Sequence, residues 1–266
     1  MPFAYTGRWA DAKLARLPEV AAELVRLKVD AILALGGPAI AAAKNATTTI
    51  PIVMTGSGGD AVATEMIASL ARPGGNITGM SDDAGPLSAK RMEILKEAVP
   101  KAKRIAILWY ADDNAMTLRY REIDNAARVL QVAVQPLGVR DPDDFATAFS
   151  AMTRERPDAL FLVADALTTL NRKRVIDFAE LHRIPAMYEF APYVHSGGLM
   201  SCGPSADDIN LIVARLVDRI LKGAKPGDLP AKQPTRYYLT INLKAAQTLG
   251  LTIPQSLMVR ADEVIR

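Results

Sequence analysis

Short apolar runs that recur between amphipathic stretches constrain this chain more than any other feature. Residues 30 to 35, 50 to 54, 104 to 110, 159 to 163 and 186 to 190 are such predominantly apolar runs. Between them lie segments such as residues 11 to 28, where Leu14, Leu17, Ala21, Leu24 and Val25 fall at helical spacing. A short run that is apolar at every position suits a strand covered on both faces, as in a parallel sheet. Its alternation with helices predicts βαβ crossovers and the α/β class.

Read in order, the pattern predicts a helix over 11–28, a strand over 30–35, the turn Gly36-Gly37-Pro38 opening a helix, and a strand over 50–54. A small-residue loop at 55–60, a helix to residue 70 and a strand at 76–80 complete a first half. The segment ARPGGNITG at 71–79 separates the halves. Pro73 fixes its φ, and Gly74 and Gly75 tolerate φ values that other residues resist. The second half is predicted to contain a helix over 87–99, strands over 104–110, 132–139, 159–163, 186–190 and 198–202, and helices over 143–155 and 167–182. A turn runs from 190 to 196. A helix over 206–221 stops at Gly223, a proline-rich connector spans 225–234, and a strand over 237–243, a helix over 244–249 and a terminal turn at 262–265 follow. Two α/β halves of this kind present strand-end loops to one cleft, where a small solute can be held.

Composition removes several function classes. The net charge of +3 comes from 32 basic and 29 acidic residues spread along 266 positions, with no lysine or arginine block to track phosphates. Nucleic acid is therefore not an expected partner. Residues 29 to 43 form the longest apolar neighbourhood, and Asp30, Gly36, Gly37 and Pro38 interrupt it well short of the roughly 20 residues a spanning helix needs. The opening MPFAYTGRWADAKL lacks the basic start, apolar core and small-residue cleavage site of an export signal. Cys202 is the single cysteine, so no internal disulfide forms.

Catalysis finds little support. Only His182 and His195 are histidine bases, and Cys202 with His195 is the one thiol pairing on offer. The carboxylate pairs Asp82-Asp83, Asp112-Asp113 and Asp207-Asp208 have no neighbouring histidines and read as helix starts, not metal ligands. No phosphate-binding loop or dinucleotide fingerprint occurs. No catalytic residue, metal or cofactor is expected.

What recurs is a strand followed by small or polar residues and then a helix start. Free amides at such ends favour a carboxylate, which Gly36, Gly37 and Pro38, or Ser57 and Gly58 beside Asp60, could receive. Asp82, Asp165 or Glu189 could pair with an ammonium, and Asn114 lies in a third such turn. Tyr110, Tyr188 and Phe190, with Trp109, fall at or near strand ends, where an aromatic either packs in the core or stacks on a flat ligand.

Several segments taken in order, among them LPEVAAELVRLKVDAILALGGPAIAAAKNATTTIPIVM, SLARPGGNITGMS, GGLMSCGP and INLKAAQTLGLTIPQSL, resemble the tryptophan/tyrosine-type substrate-binding proteins of bacterial ABC importers, which have the type I periplasmic binding protein fold. The resemblance runs from about Trp9 to the last residue. It implies two Rossmann-like lobes, 1–82 with 204–233 and 83–203 with 234–266, joined by a multi-crossing hinge that closes on an aromatic or branched amino acid. It further implies an ABC permease as partner and a periplasmic or lipid-anchored location. Set against the family, the sequence begins near what would be the second strand, without the signal peptide and first strand-helix unit. Another chain supplying that strand would make a homodimer. The family's Gly-Asp-Pro is here Gly59-Asp60-Ala61, and its Asn-Pro is Tyr110-Ala111-Asp112. An intracellular sensor of the same fold, or a Cys202/His195 enzyme, are the competing readings.

Overall fold

The computed structural model describes residues 4 to 11, 13 to 81 and 85 to 266, and the chain divides into two compact units. The first comprises Met1–Ser81 and Asn210–Lys232, the second Asp82–Ile209 and Gln233–Arg266.

In the first unit a 3-10 turn (Leu14–Arg16) enters helix α1 (Leu17–Arg26), followed by β1 (Ile32–Leu35), α2 (Gly37–Ala46), β2 (Ile52–Gly56) and β3 (Ile77–Gly79). The strands form a parallel sheet in the order β1-β2-β3. Ile32 and Ala34 pack with Ile40, Ile52, Met54 and Ile77 in one apolar cluster. Leu33 and Leu35 alternate to the other face and are 42% and 73% exposed. Among the described residues β1 has one strand neighbour, so its outer edge is open.

The turn before β3 has the backbone its glycines permit, with φ of +70° at Gly74 and +61° at Gly75. At Gly79, where φ is +137°, a Cβ would stand 2.3 Å from the Met54 carbonyl, so β3 approaches β2 only because this residue has none. The returning segment is fastened by a hydrogen bond from Thr78 Oγ1 to the Leu229 carbonyl, 2.8 Å, and from the Ser81 amide to the Lys232 carbonyl, 2.8 Å.

The helix expected up to residue 70 does not form; residues 61 to 70 are turns and bends. Asp60 Oδ1 accepts from the Val62 and Ala63 amides, and the Ala61 carbonyl accepts from both Met66 and Ile67. Glu65 sits at φ +57°. A side chain competing for backbone donors, followed by a left-handed residue, ends a helix before it propagates.

The second unit holds α3 (Gly85–Ala98), β4 (Arg104–Tyr110), α4 (Asn114–Val129), β5 (Ala133–Val139), α5 (Asp144–Arg154), β6 (Ala159–Leu162), α6 (Ala166–Leu170), α7 (Arg172–Leu181), β7 (Ala186–Tyr188), α8 (Ala191–His195) and β8 (Met200–Gly203). Helix α9 (Ala206–Leu221) crosses the division at 209/210. The chain then adds β9 (Tyr238–Asn242), α10 (Leu243–Thr248), α11 (Gln255–Arg260) and β10 (Glu263–Ile265). The seven strands run in the order β10-β9-β8-β7-β6-β4-β5. All neighbours are parallel except β8 and β9. The central strands β4 and β6 are almost wholly buried, as their unbroken apolar sequences require.

Three expectations are corrected here. The helix over 167–182 breaks at Asn171 into α6 and α7, and the turn after Phe190 is the short helix α8. The terminal turn is instead strand β10, paired with β9, because Asp262 Oδ2 accepts the Leu239 amide at 2.8 Å and sets the register. Helices α4 and α11 were not anticipated; α4 starts behind its Asp113 cap and α11 behind Pro254. Among the described residues no helix is long and apolar enough to cross a membrane.

Candidate functional site

Polar strand-end loops gather at the carboxyl edge of each unit's sheet. In the first unit, Gly36 precedes α2 at φ +83° with no side chain to cap the helix, and Pro38 occupies the first turn. Gly37 is buried, and a Cβ on it would lie 3.4 Å from the Ser57 carbonyl. The amide of Gly36 donates to the Gly56 carbonyl at 2.8 Å, bringing both glycine loops together. Ser57 is buried and its hydroxyl donates to the Gly59 carbonyl. Gly58 has φ +75°, and exposed Asp60 caps its own turn. Asp82 lies outside the described residues.

The second unit's edge is richer in charge. Tyr110 ends β4, and Asp113 caps α4 by accepting the Ala115 amide at 2.8 Å, which leaves Asn114 exposed as the helix's first residue. Asp165 follows β6 and caps α6. Its Oδ1 accepts the Thr168 amide at 3.0 Å while the Thr168 hydroxyl accepts the Asp165 amide at 2.9 Å. The other oxygen, Oδ2, is buried without a hydrogen-bond partner. Burial, reinforced by the charge of Asp113, pushes the Asp165 carboxyl up to about 7 against the pull of the Thr168 and Leu167 amides. Asp113 is raised as well, chiefly by burial, with Arg119 opposing. Burial pushes the Tyr110 phenol up to about 12, with Asp112, Asp165 and Asp113 adding to it. Tyr193, whose hydroxyl meets Thr169 Oγ1 at 2.8 Å, is raised likewise to about 12.

Glu189 follows β7 and is fully buried. Its Oε1 accepts from Arg91 Nη1 at 2.8 Å, and its Oε2 accepts from Arg119 Nη1 at 2.9 Å and from the Ala164 amide at 3.2 Å. Arg91 Nε donates to the Cys202 carbonyl at 2.6 Å. A Cβ on Gly203 would stand 1.8 Å from the Glu189 carbonyl, so β8 closes on this junction only through a glycine. Two guanidiniums clasp one buried carboxylate, an arrangement stable only while all its members remain.

Aromatic positions divide. Tyr188 is buried, stacks on Tyr193 with centroids 5.3 Å apart, and lines an apolar groove with Ile176, Ile184 and Leu249. Burial raises its phenol strongly. Phe190 is half-buried at the start of α8. Trp109 stacks on Tyr120 with centroids 4.0 Å apart, its indole nitrogen buried without a partner.

Arg91 and Arg119 were not anticipated from the sequence. Their signal is a cation inside an apolar helical stripe: Arg91 lies four residues from Leu87 and Leu95, and Arg119 four from Ala115 and Ile123, all buried. Cys202 is buried and burial raises its thiol, the reverse of nucleophile activation. His195 is exposed and faces Glu263, 2.9 Å away. Among the described residues no cluster of three or more metal-ligating side chains occurs.

Residues 3–265 match the family model described as ABC transporter substrate binding protein. The chain is 28% identical over 247 residues to a Tyrosine-binding protein of Clostridioides difficile, covering 92% of this chain and 70% of that one. The ABC domain from Streptococcus pneumonia, solved in complex with L-Trp, superposes with a TM-score of 0.87 at 26% identity, covering 95% of this chain and 86% of that one. A conserved domain protein from Vibrio cholerae does so with a TM-score of 0.87 at 27% identity, covering 95% and 84%.

Proposed function

The chain belongs to the ABC transporter substrate binding protein family, and on that premise we propose that it captures an aromatic or branched amino acid outside the cytoplasm and delivers it unchanged to an ABC permease. The observation that carries the reading is Asp165 Oδ2, a buried carboxylate oxygen at a strand's carboxyl end with one neighbouring acid and no hydrogen-bond partner. An ammonium would donate to it more strongly than a neutral group. Glu189, engaged by two arginines, is assigned no ligand contact. In the first unit, taken by itself, the backbone around Gly36, Gly37 and Pro38 and around Ser57 and Gly58 is a candidate anion site, because a helix start without a capping side chain favours an anion. Tyr110 and Phe190 are the flanking aromatics. Binding shifts a conformational equilibrium that the permease reads, and no covalent bond changes. The buried thiol of Cys202 supports this reading over an enzyme, and membership of a transporter substrate-binding family favours it over an intracellular sensor.

Calorimetry and thermal shift with L-tryptophan, L-tyrosine, L-phenylalanine, L-leucine and L-valine, each beside its N-acetyl derivative, test the proposal. Binding by at least one free amino acid, lost on acetylation and in Asp165→Asn, is expected. Silence across the panel, or equal binding of the acetylated form, rejects it.

A second reading concerns assembly. The open edge of β1, with Leu33 and Leu35 exposed beside it, supports pairing with the same strand of a second copy.

A further inference from the structure

We propose that Arg91, Glu189 and Arg119 form a positioning triad that sets the backbone on which Asp165 stands. The inference rests on Asp165 as the ammonium acceptor, but it is argued from a separate set of contacts.

Glu189 is the hub. One oxygen takes Arg91 from α3, while the other takes Arg119 from α4 and the amide of Ala164, the residue immediately before Asp165. Arg91 in turn holds the Cys202 carbonyl of β8 through Nε. One carboxylate therefore ties the ends of β6, β7 and β8 to two helices. At the fourth corner Gly203 comes so close that any Cβ would overlap the Glu189 carbonyl. Ala164 directly precedes Asp165, and the carboxylate grips it by its backbone, so the grip fixes where Asp165 begins.

The charges arrange themselves accordingly. Arg119 also acts on Asp113, Asp113 acts on Asp165, and Glu189 and Asp165 both act on Tyr193. From β4, Tyr110 faces the same acids. A displacement of the Ala164 amide carries Asp165 out of this company and toward water. Two buried guanidiniums on one carboxylate are a costly way to join strands.

The test separates geometry from stability. Glu189→Asp keeps the charge, so neither arginine is abandoned, but it is too short to reach both guanidiniums and the Ala164 amide. Arg119→Lys keeps the charge and gives up the fork geometry. The Asp165 titration midpoint is read in the ligand-free protein from the pH dependence of Tm, relative to Asp165→Asn, and Kd is measured for L-tryptophan and L-tyrosine. In Glu189→Asp the midpoint is expected to move down toward that of an ordinary aspartate and Kd to rise roughly tenfold or more, the scale of a coupled network; Arg119→Lys moves both in the same direction by less. A fall in Tm with an unchanged midpoint and unchanged Kd overturns the proposal, because a packing role alone would give that result. If Asp165→Asn binds as tightly as the parent, the ammonium assignment fails, while the midpoint shift still decides the triad.

Discussion

Burial pushes the Asp165 carboxyl up to about 7, so two pH responses of opposite sign follow from one residue. In the unfolded chain an aspartate titrates near ~3.9. The folded protein thus holds a proton that the unfolded chain has released, and this residue's contribution to stability is fully present below about pH 4 and lost as pH rises through about 7. Ligand-free protein should lose Tm across that window, and Asp165→Asn should flatten the dependence. Ligand affinity should run the other way, weakening as pH falls below about 7, since an ammonium pairs only with the ionised carboxylate. Calorimetry across pH 5 to 8 with the tightest member of the amino-acid panel checks this; an affinity independent of pH removes Asp165 from the site. Asp165 was legible as a polar residue after a strand, since local sequence carries a helix cap. That one of its oxygens would be buried and unpartnered was not, because the packing of β6 against its neighbours decides it.

Some elements with long periodic sequences were readable to the residue, whereas helix α4 over 114–129 was not read at all and α1 is shorter than the helix expected over 11–28. Strand β4 over 104–110 and helix α9 over 206–221 have the bounds that their apolar pattern predicts. Segments fixed by distant partners were not readable. Residues 61 to 70 obey the Asp60 side chain, and β10 exists because β9 accepts it. Arg91 and Arg119 went unread because their partner, Glu189, is brought to them from the distant strand β7. The first unit's edge strand gives an element-scale prediction. If β1 pairs with its copy, Leu35→Lys should abolish concentration-dependent association in sedimentation and leave Tm nearly unchanged, as for an exposed position. A parent protein that stays monomeric at every concentration rejects that pairing.

At the scale of the molecule, the alternation of apolar runs and helices foretold the α/β class, because burial on both faces leaves few other solutions. Two compact units, each with its own sheet, predict unfolding in more than one step. Gly79→Ala forces a side chain against Met54 in the first unit, and Gly203→Ala against Glu189 in the second, each costing about 2 kcal/mol or more. Denaturant titration should find that each substitution moves a different transition; a single transition shifted equally by both contradicts independent units. The chain carries two tryptophans, and they fall one to a unit. Trp9 is exposed, whereas Trp109 lies against Tyr120 at the end of β4, one residue from Tyr110. The protein therefore contains its own pair of optical probes: with Trp9→Phe, the remaining indole emission reports events beside Tyr110 without any attached dye.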